Sequence, residues 1–348
     1  GARRRGIMTR ALDPWLPFSC PLPSAMARWG AQRAGAAGRL ALAALAVQLC
    51  AAAGQEEASA RSATAAPPLR GPLPGKIGVV GVGTIGSALV QGILRAPPSR
   101  LADPPPFVLS PRNAAKAAAL RAEFPSKVTV ASSDQQVLDE AALVVLALPG
   151  STAEGVLQAL RFRQGLQVVS LIAAVKFPRL EALLGPGVNC TVALPMPAIA
   201  KQRGVTLGFP WRPYAEAMFS VTGSYTAADS LEDFTRLAAV GAFMGDFYKR
   251  QLTIQQWLVQ GGVQASKAAA HVGAIFATFA ADSEHADPNT FALLVSEQTP
   301  GGLNEMVWKQ QEADGVYGAV NASLDAVYRR TDGSGTLVAD ATGNLHVV

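Results

Sequence analysis

The sequence predicts an α/β domain at residues 76–212, followed by an all-helical domain at residues 213–330. In the first part, short apolar β-rich runs alternate with helix-compatible stretches, a pattern typical of a parallel sheet covered on both faces. In the second part, the chain is rich in alanine and its apolar residues are spaced three and four apart, as in packed helices. Residues 1–75 differ from both, because they carry nine arginines and only three acidic residues. This segment is therefore interpreted as a leader and linker.

The charge of the protein is concentrated in that leader. The whole chain has a formal charge of +5, but residues 76–348 contain 21 basic and 22 acidic residues. A nearly neutral body without a basic, aromatic-rich patch argues against nucleic-acid binding. Only one of the three cysteines lies in the body, and the three histidines show no metal-ligand spacing. We therefore expect neither a disulfide framework in the body nor a metal site.

The N-terminal segment has the pattern of a targeting sequence. From Met26, arginines precede the apolar run Leu40–Ala53, and small residues follow it. This order is typical of a secretory signal peptide, and a mitochondrial or plastid transit peptide is also compatible with it. The run is shorter than the roughly 20 residues that span a bilayer, so we expect a soluble mature body without a stable membrane anchor. At the other end, residues 331–348 are turn-rich and predict either a short hairpin or a disordered tail.

A glycine-rich turn follows the first strand of the body. Residues 76–80 are β-rich, Gly81, Gly83 and Gly86 have the GxGxxG spacing, and an amphipathic helix continues to about Leu94. Strand, glycine turn and helix together are the fingerprint of a Rossmann-type dinucleotide-binding domain, in which the helix N-terminus receives the pyrophosphate. Thr84 and Ile85 complete the loop and are included among the predicted cofactor-binding residues.

The end of the second strand indicates which dinucleotide binds. NAD enzymes carry an acidic residue there for the ribose, whereas this strand ends at Ser110 and is followed by Arg112 and Asn113, with Lys116 one turn later. Arginine can pair with the 2′-phosphate of NADP, so we expect NADP (as NADPH) to be the cofactor, held by Ser110, Arg112 and Asn113. A simple polar turn with Asn113 as helix N-cap is the alternative, and the two can hold together.

A third loop leaves the C-terminal end of another apolar strand. It contains Leu148, Pro149 and Gly150 after the run ALVVLA. Ligands of open α/β sheets bind at this edge, so Leu148 and Pro149 are predicted to contact the cofactor. A tight strand-to-helix turn without a ligand explains the same residues.

Six motifs in a fixed order resemble the pyrroline-5-carboxylate reductase family over about residues 76–330. The resemblance implies a reductase acting on a CH–NH group, which would reduce a cyclic imine with an NAD(P)H hydride and convert pyrroline-5-carboxylate to proline. It also implies that the helical domain forms a homodimer or a higher oligomer and contributes to the substrate site. The motifs are GVGTIG (81–86), SPRN (110–113), LALPG (146–150), SLIAAV (170–175), PMP (195–197) and TPGG (299–302).

The TPGG segment is the part of the resemblance that concerns the substrate. In the family, a Pro-Gly-Gly turn starts a helix whose N–H groups and following threonine receive the substrate carboxylate. The resemblance therefore implies substrate binding by Pro300, Gly301 and Gly302, with Pro300 suited to the first helical position. Thr299 and Asn304 are the candidates for orienting the substrate. Leu303 and Asn304 stand where the family has paired threonines, and Glu305 adds a negative charge beside the expected carboxylate site.

Other interpretations of the helical half remain open. Lys267 and His271 are four residues apart on one helix, so they predict either an acid/base pair or ordinary surface residues. A hydroxyacid dehydrogenase of the same two-domain design would need a Lys-x-x-Asn pair, but Ala270 occupies the asparagine position. A non-catalytic protein that binds NADP without turnover is a further alternative, since the departures from the family pattern lie on the substrate side.

Overall fold

The computed structural model describes residue 73, residues 75–339 and residues 345–347. Almost all of the predicted leader and linker lies outside the described residues. The described chain begins with strands and helices in alternation. The strands of the main sheet are β1 (Ile77–Val80), β2 (Phe107–Leu109), β3 (Val128–Val130), β4 (Leu143–Leu146), β5 (Gln167–Ser170), β6 (Asn189–Pro195), β7 (Gly204–Phe209) and β8 (Gly223–Ala227).

These strands form one sheet in the order β3-β2-β1-β4-β5-β6-β7-β8. Strands β1 to β6 pair in parallel, as predicted. Strand β7 pairs antiparallel with β6, and β8 pairs parallel with β7, so the last two strands run opposite to the others. The reversal follows from the connection, because only the 3₁₀ turn at Pro197–Lys201 joins β6 to β7, whereas a parallel return needs a crossover of about a dozen residues.

Two apolar cores lie against the sheet. Leu89, Phe107 and Phe219 are buried in one of them, and Val137, Leu157 and Leu180 are buried in the other. Both faces of the sheet are therefore covered, which confirms the predicted α/β class. The covering helices are α1 (Thr84–Leu94), α2 (Ala114–Glu123), α3 (Asp134–Glu140), α4 (Gly150–Gln158), α5 (Phe177–Leu184) and α6 (Pro213–Thr222).

The predicted boundary after residue 212 requires a correction. Helix α6 buries Met218 and Phe219 in the core of the sheet, and the ring of Phe219 stacks on that of Tyr225 in β8 at 6.1 Å. Residues 213–227 thus complete the sheet layer. Helical periodicity in a sequence identifies a helix without identifying its packing partner, so it does not show that α6 packs on the sheet. That the sheet and the later helices are separate domains stays a prediction.

The helical part begins after Ser230. The Ser230 Oγ accepts a hydrogen bond from the Asp233 N–H at 3.0 Å, which confirms the predicted N-cap. Near the C-terminus, residues 337–339 pair in antiparallel fashion with residues 345–347, which agrees with the hairpin alternative predicted for the tail. The elements are α7 (Leu231–Val240), α8 (Met244–Gln260), α9 (Ala265–Ala281), α10 (Thr290–Ser296), α11 (Leu303–Ala313), α12 (Val316–Asp332), β9 (Leu337–Ala339) and β10 (Leu345–Val347).

This helical part leaves much apolar surface uncovered. Helices α8, α10, α11 and α12 bury none of their residues. Trp257 is 70% exposed, Phe279 61% and Phe291 63%. Clusters of large exposed apolar side chains mark interaction surfaces in soluble proteins. None of the helices in the described part of the chain has the length and apolarity needed to cross a membrane.

Candidate functional site

The glycine turn after β1 combines two packed glycines with one open glycine. Gly81 has φ +96, and a Cβ there would lie 2.4 Å from the carbonyl oxygen of Ala147. A Cβ on Gly86 would lie 2.5 Å from the carbonyl oxygen of Gly81. Gly83 differs, since a Cβ there would have no neighbour within 4 Å. Two glycines therefore allow the turn to form, and the third borders open space in front of α1.

That open space faces the N-terminus of α1. Gly83 is the N-cap residue, no side chain caps the helix, and its first turn contains no acidic residue. Thr84, the first helical residue, is exposed. Backbone N–H groups at such a helix start attract anions, because they lack intrahelical partners and lie at the positive end of the helix dipole. The arrangement fits the diphosphate of a dinucleotide.

The polar residues of the turn after β2 have different structural roles. The Ser110 hydroxyl is buried and accepts a hydrogen bond from the Gly81 N–H at 2.9 Å, so it holds the glycine turn in place. Asn113 is the N-cap of α2, and its Oδ1 accepts a hydrogen bond from the Lys116 N–H at 3.3 Å. Arg112 is exposed and makes no hydrogen bond or ion pair with other described residues. The N-cap interpretation is thereby confirmed, while phosphate contacts by Ser110, Arg112 and Asn113 stay predictions.

The loop after β4 closes the other side of the glycine turn. The Ala147 N–H donates to the carbonyl oxygen of Val80 at 2.8 Å, which ties this loop to β1. The Leu148 side chain packs in the core and is only 7% exposed, and Pro149 is the N-cap residue of α4. Contacts of Leu148 and Pro149 with a cofactor stay predictions.

A cavity of about 340 Å³ opens beside the β2 turn. It lies between Arg112, the start of α3 at Asp134, and one side of α4 with the residues that follow it, from Thr152 and Gly155 to Leu160. One carboxylate oxygen of Asp134 is buried and has no hydrogen-bond partner in the described part of the chain. Asp134 and Thr152 were not predicted as site residues, because they are distant from Arg112 in sequence and only the sheet order brings their loops together.

The TPGG segment forms a tight turn before α11. The Gly302 N–H donates to the Thr299 carbonyl oxygen at 2.8 Å, and Gly301 has φ +71. Proline in second place and a left-handed glycine in third define a type II turn. Helix α11 starts at Leu303 with Gly302 as N-cap, so the prediction that Pro300 occupies the first helical position is wrong. The proline sets the backbone of the turn instead.

The residues after this turn interact with one another. The Glu305 carboxylate accepts a hydrogen bond from the Gly301 N–H at 2.6 Å and pairs with the Lys309 ammonium at 2.7 Å. These bonds, first that from Lys309 and then that from Gly301, lower the pKa of Glu305. Asn304 donates through Nδ2 to the Gln298 Oε1 at 2.8 Å, and Leu303 is 77% exposed.

Lys267 and His271 both lie on the exposed surface of α9. No hydrogen bond or ion pair joins either residue to another described side chain. Their position agrees with ordinary surface residues; the acid/base alternative stays untested.

Comparison with known proteins supports the dinucleotide-binding half. Residues 76–174 match the family described as "NADP oxidoreductase coenzyme F420-dependent". That segment runs from β1 to the loop after β5 and includes the whole glycine turn. No curated protein matches the chain.

Solved structures resemble a larger part of the chain. A pyrroline-5-carboxylate reductase from Streptococcus pyogenes aligns with a TM-score of 0.61 at 20% identity, over 74% of this chain and 98% of the other. One from Coxiella burnetii gives 0.64 at 19% identity, over 74% and 97%. One from Plasmodium falciparum, with NADP bound, gives 0.60 at 15% identity, over 76% and 99%. The chain therefore has the fold of the pyrroline-5-carboxylate reductases, and its residues 76–174 resemble an NADP oxidoreductase family.

Proposed function

We propose that this protein is an NADPH-dependent reductase of a cyclic imine. The observation that carries the proposal is the open start of α1 behind Gly83, with the exposed Arg112 guanidinium on the neighbouring turn, which pairs with no other described residue. The fold resemblance supports the reaction class, and pyrroline-5-carboxylate to proline is the specific reaction it suggests. NADPH would supply the hydride, so the protein has to bind it, orient the imine and exclude water.

The choice of NADP over NAD rests on the turn after β2. This turn contains no carboxylate for a ribose hydroxyl, and it presents Arg112 without a protein partner among the described residues. An arginine fork fits a phosphate dianion through two parallel hydrogen bonds. Asn113 shapes the turn as N-cap, and Ser110 holds it against Gly81.

The TPGG turn and the start of α11 are proposed as the substrate side of the site. Thr299 and Asn304 would orient the imine, and Gly301 and Gly302, which have no side chains, would leave room for its ring. Asn304 keeps one amide hydrogen and its carbonyl oxygen for this purpose, because only one N–H is used by Gln298. An imine is protonated readily near neutral pH, so no dedicated acid is required.

Enzyme assays on the full chain test the reaction. We expect NADPH oxidation with a cyclic imine, and we expect Asn304→Ala to lower kcat/KM about 10-fold, as for one lost hydrogen bond. Asn321→Ala, an exposed asparagine on α12, is the matched control and should leave turnover unchanged. Measurable NADPH binding without turnover of any imine or keto acid would favour the non-catalytic alternative.

A second copy of the chain is the proposed partner of the helical part. Helices that bury none of their own residues need an apolar partner surface, and Trp257 and Phe291 would become covered in a homodimer. We expect light scattering to give at least twice the monomer mass. Trp257→Glu should shift the protein toward monomer, whereas Lys249→Glu on the same helix should leave the mass unchanged. A monomeric wild type would contradict the proposal.

A further inference from the structure

The start of α11 already holds a carboxylate that belongs to the protein. Glu305 is the third residue of the helix, and its Oε2 accepts the hydrogen bond from Gly301, just before the helix begins. A glutamate at this position that reaches back to a preceding N–H stabilises a helix start in the same way as a capping box. The Gly301 N–H is therefore already bonded within the protein.

The negative charge of Glu305 persists near neutral pH. The hydrogen bonds from Lys309 and Gly301 lower the pKa of the carboxyl group. Lys309 pairs with the other oxygen, Oε1, one helical turn further from the TPGG turn. The Lys309 side chain is 56% exposed, so solvent weakens its electrostatic attraction to the Glu305 carboxylate. Both carboxylate oxygens of Glu305 therefore have a donor within the protein, and the carboxylate keeps its negative charge beside the TPGG turn.

The neighbouring side chain is apolar. Leu303, the first residue of α11, is 77% exposed and offers no hydrogen-bond donor. A substrate carboxylate placed here would meet an apolar surface on one side and a like charge on the other, which disfavours its binding. An uncharged ring would meet a surface suited to it, and a protonated imine nitrogen would be attracted to Glu305.

On the basis of the proposed imine reduction, we infer that the substrate is a cyclic imine without a carboxylate next to the ring nitrogen. Glu305 excludes the carboxylated ring and favours the cationic iminium form. The reaction balances as hydride addition to the imine carbon, with the proton already on nitrogen, to give a secondary amine and NADP⁺. Glu305 is thus proposed as the residue that determines specificity between carboxylated and uncarboxylated rings.

The test compares two rings that differ only in the carboxylate. For the full chain we expect kcat/KM for 1-pyrroline to exceed that for pyrroline-5-carboxylate at least tenfold, and added salt to narrow this ratio. Glu305→Gln should narrow the ratio roughly tenfold by improving use of the carboxylated ring. Glu312→Gln removes an exposed charge from the same helix and should leave the ratio unchanged.

Several results would overturn the inference. A wild-type preference for pyrroline-5-carboxylate would do so, as would an unchanged ratio in active Glu305→Gln. If that variant fails to fold, a wild-type ratio that does not respond to salt decides against the inference. Turnover of neither ring despite NADPH binding would instead remove the proposed imine reduction itself, and the inference with it.

Discussion

Replacing Gly81 with alanine is expected to lower the free energy of unfolding by about 2–4 kcal/mol and to abolish NADPH binding. The backbone at Gly81 has φ +96, and an added Cβ would lie 2.4 Å from the carbonyl oxygen of Ala147. That contact is with backbone, so it cannot be relieved by a side-chain rotation. Moving Ala147 would disturb the hydrogen bond from its N–H to Val80 and with it the junction of β1 and β4. Chemical denaturation and fluorescence titration with NADPH measure the two effects.

Gly83→Ala is the control that separates folding from binding. A Cβ on Gly83 would contact nothing within 4 Å, and its φ of −85 suits alanine. The free energy of unfolding should change by less than about 1 kcal/mol. NADPH affinity should nevertheless fall at least tenfold, because the methyl group would enter the space proposed for the pyrophosphate. Wild-type NADPH affinity in Gly83→Ala would contradict the proposed cofactor position.

The features that were predicted correctly are encoded locally. The glycine turn, the Asn113 and Ser230 caps and the helices themselves depend on residues within a few positions of each other. Backbone geometry and short-range hydrogen bonds determine such features, so a single sequence is sufficient to identify them.

The corrected features depend on residues that are distant in sequence. Strands β7 and β8 and the helix between them join the sheet through contacts that no local pattern encodes. Pro300 fits either the first turn of a helix or a type II turn, and the bond from Gly302 to Thr299 selects the latter. For the same reason the cavity between Arg112 and Asp134 was not predicted, because the sheet order creates it.

Replacing Arg112 with alanine is expected to raise the KM for NADPH roughly 10- to 100-fold and to leave the KM for NADH nearly unchanged. The guanidinium is exposed and has no partner among the described residues, so its removal leaves the fold intact. The lost interaction would involve only the 2′-phosphate, which NADH lacks. Steady-state kinetics with both cofactors at saturating imine measure the change.

Arg121→Ala provides the matched control, since Arg121 is also an exposed arginine and lies at the opposite end of α2. It should leave the KM values of both cofactors unchanged. Equal increases in the KM for NADPH and for NADH in Arg112→Ala would show that Arg112 maintains the β2 turn and does not bind the phosphate. An unchanged preference for NADPH would refute the assignment of Arg112. Lys116, in the first turn of α2, would then be the nearby cation left to hold the phosphate. Only an increase in KM that is confined to NADPH agrees with a direct contact between Arg112 and the 2′-phosphate of the cofactor.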